Sequence, residues 1–236
     1  MRAVIWQHEV HEGIDALGPP LTAAGFTLQA RHREVGPTDA DADLVVVLGG
    51  TMGVYEAEQH PWLGAEQALL RTRLAQGRPC LGLCLGAQLL AAAAGVPVAR
   101  GTNGLEVGAL PVQWTAAGRR DPVTGPTAQA TELVVAQWHQ DTFPLPGGAV
   151  QLAASPQYAQ QAFRLGRSYG FQFHLEVTPH SFAVWLRGGA SELRAAGHDP
   201  QVVQATLPAL AAAAAAHAAL RQRLAEQLAA WARLAT

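Results

Sequence analysis

The run Arg78-Pro79-Cys80-Leu81-Gly82-Leu83-Cys84-Leu85-Gly86-Ala87-Gln88-Leu89-Leu90 reads as a strand that turns abruptly into a helix. Its opening is short and apolar, bounded by Gly77 and Pro79, which suits a buried parallel strand. Beyond Gly86 come strong helix formers up to Ala94, closed by Gly95 and Pro97. The junction Gly82-Leu83-Cys84-Leu85-Gly86 has a small residue two places either side of a nucleophile, the nucleophile-elbow spacing, with Cys where esterases carry Ser. A side chain on a strand-to-helix turn that sharp is exposed at its apex, and only small neighbours avoid collision. The same turn sets the sulfur at a helix N-terminus, whose partial positive charge favours thiolate over thiol. The competing reading is a core strand and helix punctuated by glycine, with no chemistry.

Around this unit, strands and helices alternate. Ala3-Val4-Ile5-Trp6, Phe26-Thr27-Leu28-Gln29-Ala30 and Leu44-Val45-Val46-Val47-Leu48 read as strands, and residues 61–76 carry helical spacing. Residues 96–154 change to short strands and Gly/Pro turns, at 106–112, 132–136 and 150–154. Ala162-Phe163-Arg164 and Tyr169-Gly170-Phe171-Gln172-Phe173 add two more strands, and helix dominates from Pro179. The expectation is an α/β fold: an open, mostly parallel sheet flanked by helices, with antiparallel strands at one edge and a helical C-terminal tail.

Composition narrows the function. With 236 residues, 49% of them hydrophobic, the chain supports one substantial core. A net charge of −2 and the lack of a basic stripe argue against a nucleic-acid partner. No apolar stretch is long and pure enough to span a membrane, since residues 205–220 are interrupted by Pro208 and His217. No secretory leader is read at the start, and Cys80 and Cys84 share one strand–turn unit, so a cytoplasmic protein is expected. All 16 basic residues are arginine, which excludes Schiff-base lysine chemistry and the lysine of a phosphate-binding loop.

Ligands of open α/β sheets bind beyond the carboxyl ends of the strands. One such end here is Gly49-Gly50, whose bare backbone can aim an N–H at a developing oxyanion, or simply make a turn. Another is Phe171-Gln172-Phe173-His174-Leu175-Glu176, where an extended segment would put His174 and Glu176 on one side. By itself a His-x-Glu pair is weak; with a cysteine elbow it completes a nucleophile, a base and an orienter. His8, Glu9, His11 and Glu12 cluster after the first strand and read as solvated or substrate-facing rather than as a metal site.

These motifs together resemble the class I glutamine amidotransferases of the Cys-His-Glu type, which have a flavodoxin-like fold. The likeness rests on residues 79–88 and on Gln172-Phe173-His174-Leu175-Glu176, and it covers roughly residues 1–200. His60-Pro61-Trp62-Leu63 and residues 138–146 narrow it to stand-alone members similar to the amidotransferase half of GMP synthase. The resemblance implies Cys84 as nucleophile, His174 as base and later acid, and Glu176 as orienter. It implies an oxyanion hole from the N–H of Leu85 with one from Gly49 or Gly50, and substrate contacts from Gln88, His139, Gln140 and Asp141. For His139 and Asp141 the other reading is a capped surface turn. The sequence departs from the family pattern at Thr51 and Leu175, where proline is common, so both turns are expected to be looser.

The chemistry implied is hydrolysis of the γ-amide of glutamine, or of a γ-glutamyl small molecule, through a Cys84 thioester, with no cofactor and no metal. The open alternatives are a glutaminase subunit docked on a separate synthetase, a self-sufficient γ-glutamyl peptide hydrolase or transferase, and a non-catalytic regulatory protein. Residues 1–197 form the expected amidotransferase domain and residues 198–236 a helical extension packed on it. The stripe Leu220, Leu224, Leu228, Trp231 and Leu234 either covers its own domain or makes a homodimer or synthetase interface.

Overall fold

Continuous apolar runs in the central strands send successive side chains to opposite faces and build one large sheet with a core on each face. The computed structural model describes residues 1–127 and 131–234. In chain order the strands are β1 (Arg2–Gln7), β2 (Thr27–His32), β3 (Leu44–Val47), β4 (Cys80–Leu83), β5 (Ala99–Arg100), β6 (Glu106–Trp114), β7 (Glu132–His139), β8 (Asp141–Thr142), β9 (Val150–Ala154), β10 (Ala162–Leu165) and β11 (Ser168–Phe171). The helices are α1 (Gly18–Ala23), α2 (Pro61–Ala75), α3 (Leu85–Ala93), α4 (Pro179–Gly188), α5 (Ala190–Ala195), α6 (Pro200–Gln204), α7 (Leu207–Ala212) and α8 (Ala214–Arg233).

The main sheet has nine strands in the order β2-β1-β3-β4-β11-β10-β9-β6-β7. Strands β2, β1, β3, β4 and β11 are parallel, and the remaining pairs are antiparallel. The expected mostly parallel sheet with antiparallel additions at one edge is the architecture observed. On one face Ala3, Ile5, Val46, Leu81 and Phe171 pack with α1 and with Leu220, Leu224 and Leu228 of α8. On the other, Val4, Trp6, Val45 and Val47 pack with Leu63 and Leu70 of α2 and Leu89 and Leu90 of α3. Helices α4–α7 cover the antiparallel edge through Phe182, Leu186, Leu193, Val203 and Leu210 against Val107, Ala109 and Ala136.

The C-terminal stripe therefore covers its own sheet as far as Trp231, while Leu234 at its end is exposed. Leu220, Leu224 and Leu228 are fully buried in the chain and present no face to a partner, which sets aside the interface reading for them. Helix after Pro179 is more broken than its periodicity suggests. Gly189 alone separates α4 from α5 and is favoured by packing, because a methyl group there would lie 2.3 Å from the Trp138 ring. Among the described residues no single helix is long and apolar enough to cross a membrane.

Candidate active site

The C-terminal ends of β1, β3, β4 and β11 converge on Cys84. This residue links β4 to α3 with φ 51° and ψ −110°, a left-handed conformation that costs a non-glycine residue about 1–3 kcal/mol. Its backbone is held on both sides: the N–H donates to the Phe171 carbonyl at 2.9 Å, and the carbonyl accepts from Ala87 at 2.9 Å and Gln88 at 3.2 Å. The flanking glycines are steric necessities. A methyl group on Gly82 would lie 2.3 Å from the Gly86 carbonyl oxygen, and one on Gly86 would lie 2.1 Å from the Val47 carbonyl oxygen of β3. Both collisions are with backbone and cannot be relieved by a rotamer. Leu85 is the first residue of α3, so its N–H has no intrahelical acceptor.

His174 and Glu176 lie beyond the strand expected to carry them. β11 ends at Phe171, and residues 172–176 bend, with one isolated antiparallel bridge between His174 and Ala136. The pairing is made all the same: His174 Nδ1 lies 2.6 Å from Glu176 Oε1, both side chains buried. A carboxylate only accepts, so Nδ1 carries the proton and Nε2 is the nitrogen left for other chemistry. Burial works against the imidazolium, but Glu176 and the Cys84 sulfur outweigh it and hold the His174 pKa well above the usual imidazole value. Trp185 of α4 packs edge-on against the His174 ring, centroids 5.0 Å apart.

The bend around Glu176 is tied to two distant parts of the chain. Arg221 of α8 donates from Nε to the Leu175 carbonyl at 2.5 Å and from Nη2 to the Val177 carbonyl at 2.8 Å. The Glu176 carbonyl accepts from the Ala16 N–H at 2.8 Å. Three contacts thus engage the successive carbonyls of residues 175–177, where the family pattern has a proline.

Gly49 and Gly50 face this pair. A methyl group on Gly49 would lie 3.1 Å from His174 Cε1 and 3.7 Å from Cys84 Cβ, so the glycine allows close approach rather than merely a turn. The Gly49 carbonyl accepts from His8 Nδ1 at 2.8 Å. Thr51 is tied down as well: its hydroxyl donates to Glu9 at 2.9 Å, and Glu9 pairs with Arg33 at 3.1 Å. Without proline, the residue after the glycine pair is held by this hydroxyl–carboxylate contact.

The remaining predicted residues are spread along one side. Gln88 is buried and donates to Gln172 Oε1 at 3.2 Å. His139 is buried, with Nε2 3.1 Å from Glu106 and Nδ1 3.2 Å from the Asp141 carbonyl, so it is no surface turn and both ring nitrogens are engaged within the chain. Gln140 donates its amide to the Gly101 carbonyl at 3.0 Å. Asp141 is half-buried; burial raises its carboxyl pKa, against the lowering effect of the Tyr55 hydroxyl and Arg100.

Comparison with known proteins identifies the family. The model of the family described as glutamine amidotransferase class-I matches residues 9–187. The chain belongs to the class I glutamine amidotransferases. It is 32% identical over 195 residues to the glutamine amidotransferase-like protein YfeJ of Salmonella typhimurium, covering 78% of this chain and 80% of that protein. A glutamine amidotransferase of Thermotoga maritima superposes with TM-score 0.80 at 30% identity, over 97% of this chain and 98% of the other. A glutamine amidotransferase of Methylobacillus flagellatus gives 0.78 at 28%, over 99% and 94%. At the level of fold alone, a Thermoplasma acidophilum protein described as belonging to GMP synthase gives 0.61 at 20%, over 82% and 96%.

In this amidotransferase several site residues escape a motif search. Glu12 places Oε2 3.1 Å from where a Gly49 methyl would sit, on the same side as His174. Burial raises its carboxyl pKa, the His174 charge lowers it, and Glu176 and Glu9 raise it further. His8 is wholly buried rather than solvated, and Glu66 is its partner. Glu66 and Arg221 are ordinary members of helical patterns and carry no signal of their own.

Proposed function

We propose that this amidotransferase hydrolyses a γ-glutamyl amide through a thioester on Cys84, releasing ammonia or a small amine. The carrying observation is Cys84 at φ 51° on the elbow, beside a His174 whose other nitrogen is bound to Glu176 at 2.6 Å. The Cys84 thiolate attacks the amide carbonyl carbon, and the carbonyl π electrons move onto oxygen. That oxyanion is held by the N–H groups of Leu85 and Gly50, each worth about 3 kcal/mol in the transition state. His174, protonated at Nε2, gives its proton to the departing nitrogen, a transfer worth roughly 10²–10⁴-fold. The C–N bond breaks and the amine leaves. His174 then takes a proton from water as hydroxide attacks the thioester carbonyl; the C–S bond breaks, the γ-carboxyl product leaves, and the Cys84 thiolate and His174 imidazolium are restored.

Gln88 and the 139–141 segment are assigned to the amino-acid end of the substrate. Within that segment Asp141 is the group suited to an ammonium, because it supplies the segment's carboxyl group. Assembly of the His174–Glu176 pair in a single chain favours turnover without a partner. The alternative, ammonia handed to a separate synthetase, draws on the fold shared with the GMP synthase protein of Thermoplasma acidophilum. Ammonia release from glutamine, and amine release from γ-glutamyl peptides, is measured for the purified protein and for Cys84→Ala. Release that depends on Cys84 is expected. Equal release by both proteins would overturn the thioester reading, and release only on adding a synthetase would favour the partner-dependent form.

A further inference from the structure

We propose that His8 and Glu66 are positioning residues that fix the Gly49–Gly50 peptide in the orientation that offers its N–H to the oxyanion. The inference rests on the hydrolase reading above and adds a second His–Glu pair to it, one that touches no substrate.

Donors and acceptors fix the proton on His8. Its Nδ1 lies 2.8 Å from the Gly49 carbonyl oxygen, which can only accept, so Nδ1 must carry a hydrogen. His8 Nε2 lies 3.0 and 3.2 Å from the two Glu66 oxygens. Imidazolium with carboxylate, or imidazole with carboxylic acid, both keep the Nδ1 hydrogen on Gly49; the pair holds one proton between its members in either form. Both side chains are fully buried, so water does not compete for either bond. The ring is clamped in the other direction as well, stacked on Trp62 with centroids 4.9 Å apart and planes 16° from parallel.

Peptide planarity carries this restraint to the next N–H. No peptide in the described chain is cis, and in a planar trans peptide C=O and N–H point opposite ways. Binding the Gly49 carbonyl on the His8 side therefore turns the Gly50 N–H to the other side. Two adjacent glycines give this peptide little resistance to rotation of its own, since neither has a Cβ to restrict φ and ψ. Held only by its neighbours, it would sample the opposite orientation and present a carbonyl where a donor is needed. The Thr51–Glu9 bond restrains the residue after the pair but does not set this plane. The choice of donor between the glycines thus falls to Gly50.

The test compares two variants of the full chain. His8→Phe with Glu66→Met keeps the ring on Trp62, removes the donor and leaves no buried carboxylate unpaired. Glu66→Gln is the conservative partner, because its amide N–H can donate to Nε2 and keep the hydrogen on Nδ1. For the double variant the expected result is kcat lowered by about 10²–10³-fold, as for loss of one oxyanion donor, with KM nearly unchanged. Glu66→Gln is expected to retain most of the turnover. Crystal structures of the two are expected to show the 49–50 peptide rotated in the first and unmoved in the second. A folded double variant with an unmoved peptide and undiminished kcat would overturn the proposal. So would a Glu66→Gln protein as impaired as the double variant. His8→Phe with Glu66→Gln, which also leaves no carboxylate unpaired, supplies the same readings if the first double variant does not fold. Absence of Cys84-dependent turnover in the wild type would sink the hydrolase reading by itself, while the peptide orientations still decide the clamp.

Discussion

At the scale of single residues, the elbow is governed by distances that leave no freedom. Gly82→Ala puts a methyl carbon 2.3 Å from the Gly86 carbonyl oxygen, so β4 and α3 must separate. Overpacking of this kind costs about 1–3 kcal/mol and commonly more against backbone. A folded Gly82→Ala protein is accordingly expected to lose several degrees of Tm and nearly all Cys84-dependent release; wild-type activity would refute the steric account. Glu12 makes a subtler case. Its carboxylate and the His174 imidazolium stabilise one another, so Glu12→Gln should lower the His174 pKa and shift the alkaline limb of the kcat/KM profile to lower pH. An unmoved limb would mean that Glu12 is too well screened to matter. The two residues also differ in how legible they are in the sequence. Gly82, Cys84 and Gly86 lie within five positions, and their local geometry follows from spacing. Glu12 acts on a residue 162 positions away in the chain, and no local pattern marks it.

At the scale of elements, the central strands are legible because a parallel sheet covered on both faces writes short continuous apolar runs into the sequence. The segment that carries His174 and Glu176 is less so. Residues 172–176 read as extended from their composition, whereas tertiary ties bend them: the bridge to Ala136, the Ala16 bond and the Arg221 fork. Those ties make α8 part of the site. Arg221→Met removes two charge-assisted bonds to carbonyls on either side of Glu176, each worth roughly 1.5–3 kcal/mol. Global stability is expected to fall by about 2–4 kcal/mol in urea unfolding, with kcat reduced more than KM is raised. Unaltered kinetics at reduced stability would confine Arg221 to the fold. Truncation after Gly197 is a cruder version of the same change. It strips Leu220, Leu224 and Leu228 from the main core, and an insoluble or unfolded product is expected rather than a smaller active domain.

Across the whole molecule, the attachment of α8 makes stability depend on pH. His217 of α8 donates from Nε2 to the Val134 carbonyl of β7 at 2.8 Å and is almost wholly buried. Burial, with the Arg221 charge one turn on, lowers its pKa from 6.5 to about 4, while the Val134 carbonyl opposes the shift. The folded state thus prefers neutral imidazole, and the unfolded chain binds the extra proton between these values. His217's contribution is fully present above pH 6.5 and is lost as pH falls towards 4. About 2 kcal/mol of it is gone by pH 5, which corresponds to a Tm loss of roughly 5 °C for a chain of this size. His8 and His174 act in the opposite sense. Their folded-state values are raised, so their contributions are present below the unfolded value and disappear as pH rises through the folded one. Stability should therefore fall on both sides of a maximum, with His217 controlling the acid side. His217→Gln keeps a donor for Val134 but cannot titrate, and its Tm should drop less between pH 7 and pH 5 than that of the wild type. An equal drop in both proteins would show that other groups set the acid limb. Because α8 also carries Arg221, the wild type should lose kcat over the same acid interval in which its Tm falls, and His217→Gln should recover part of both.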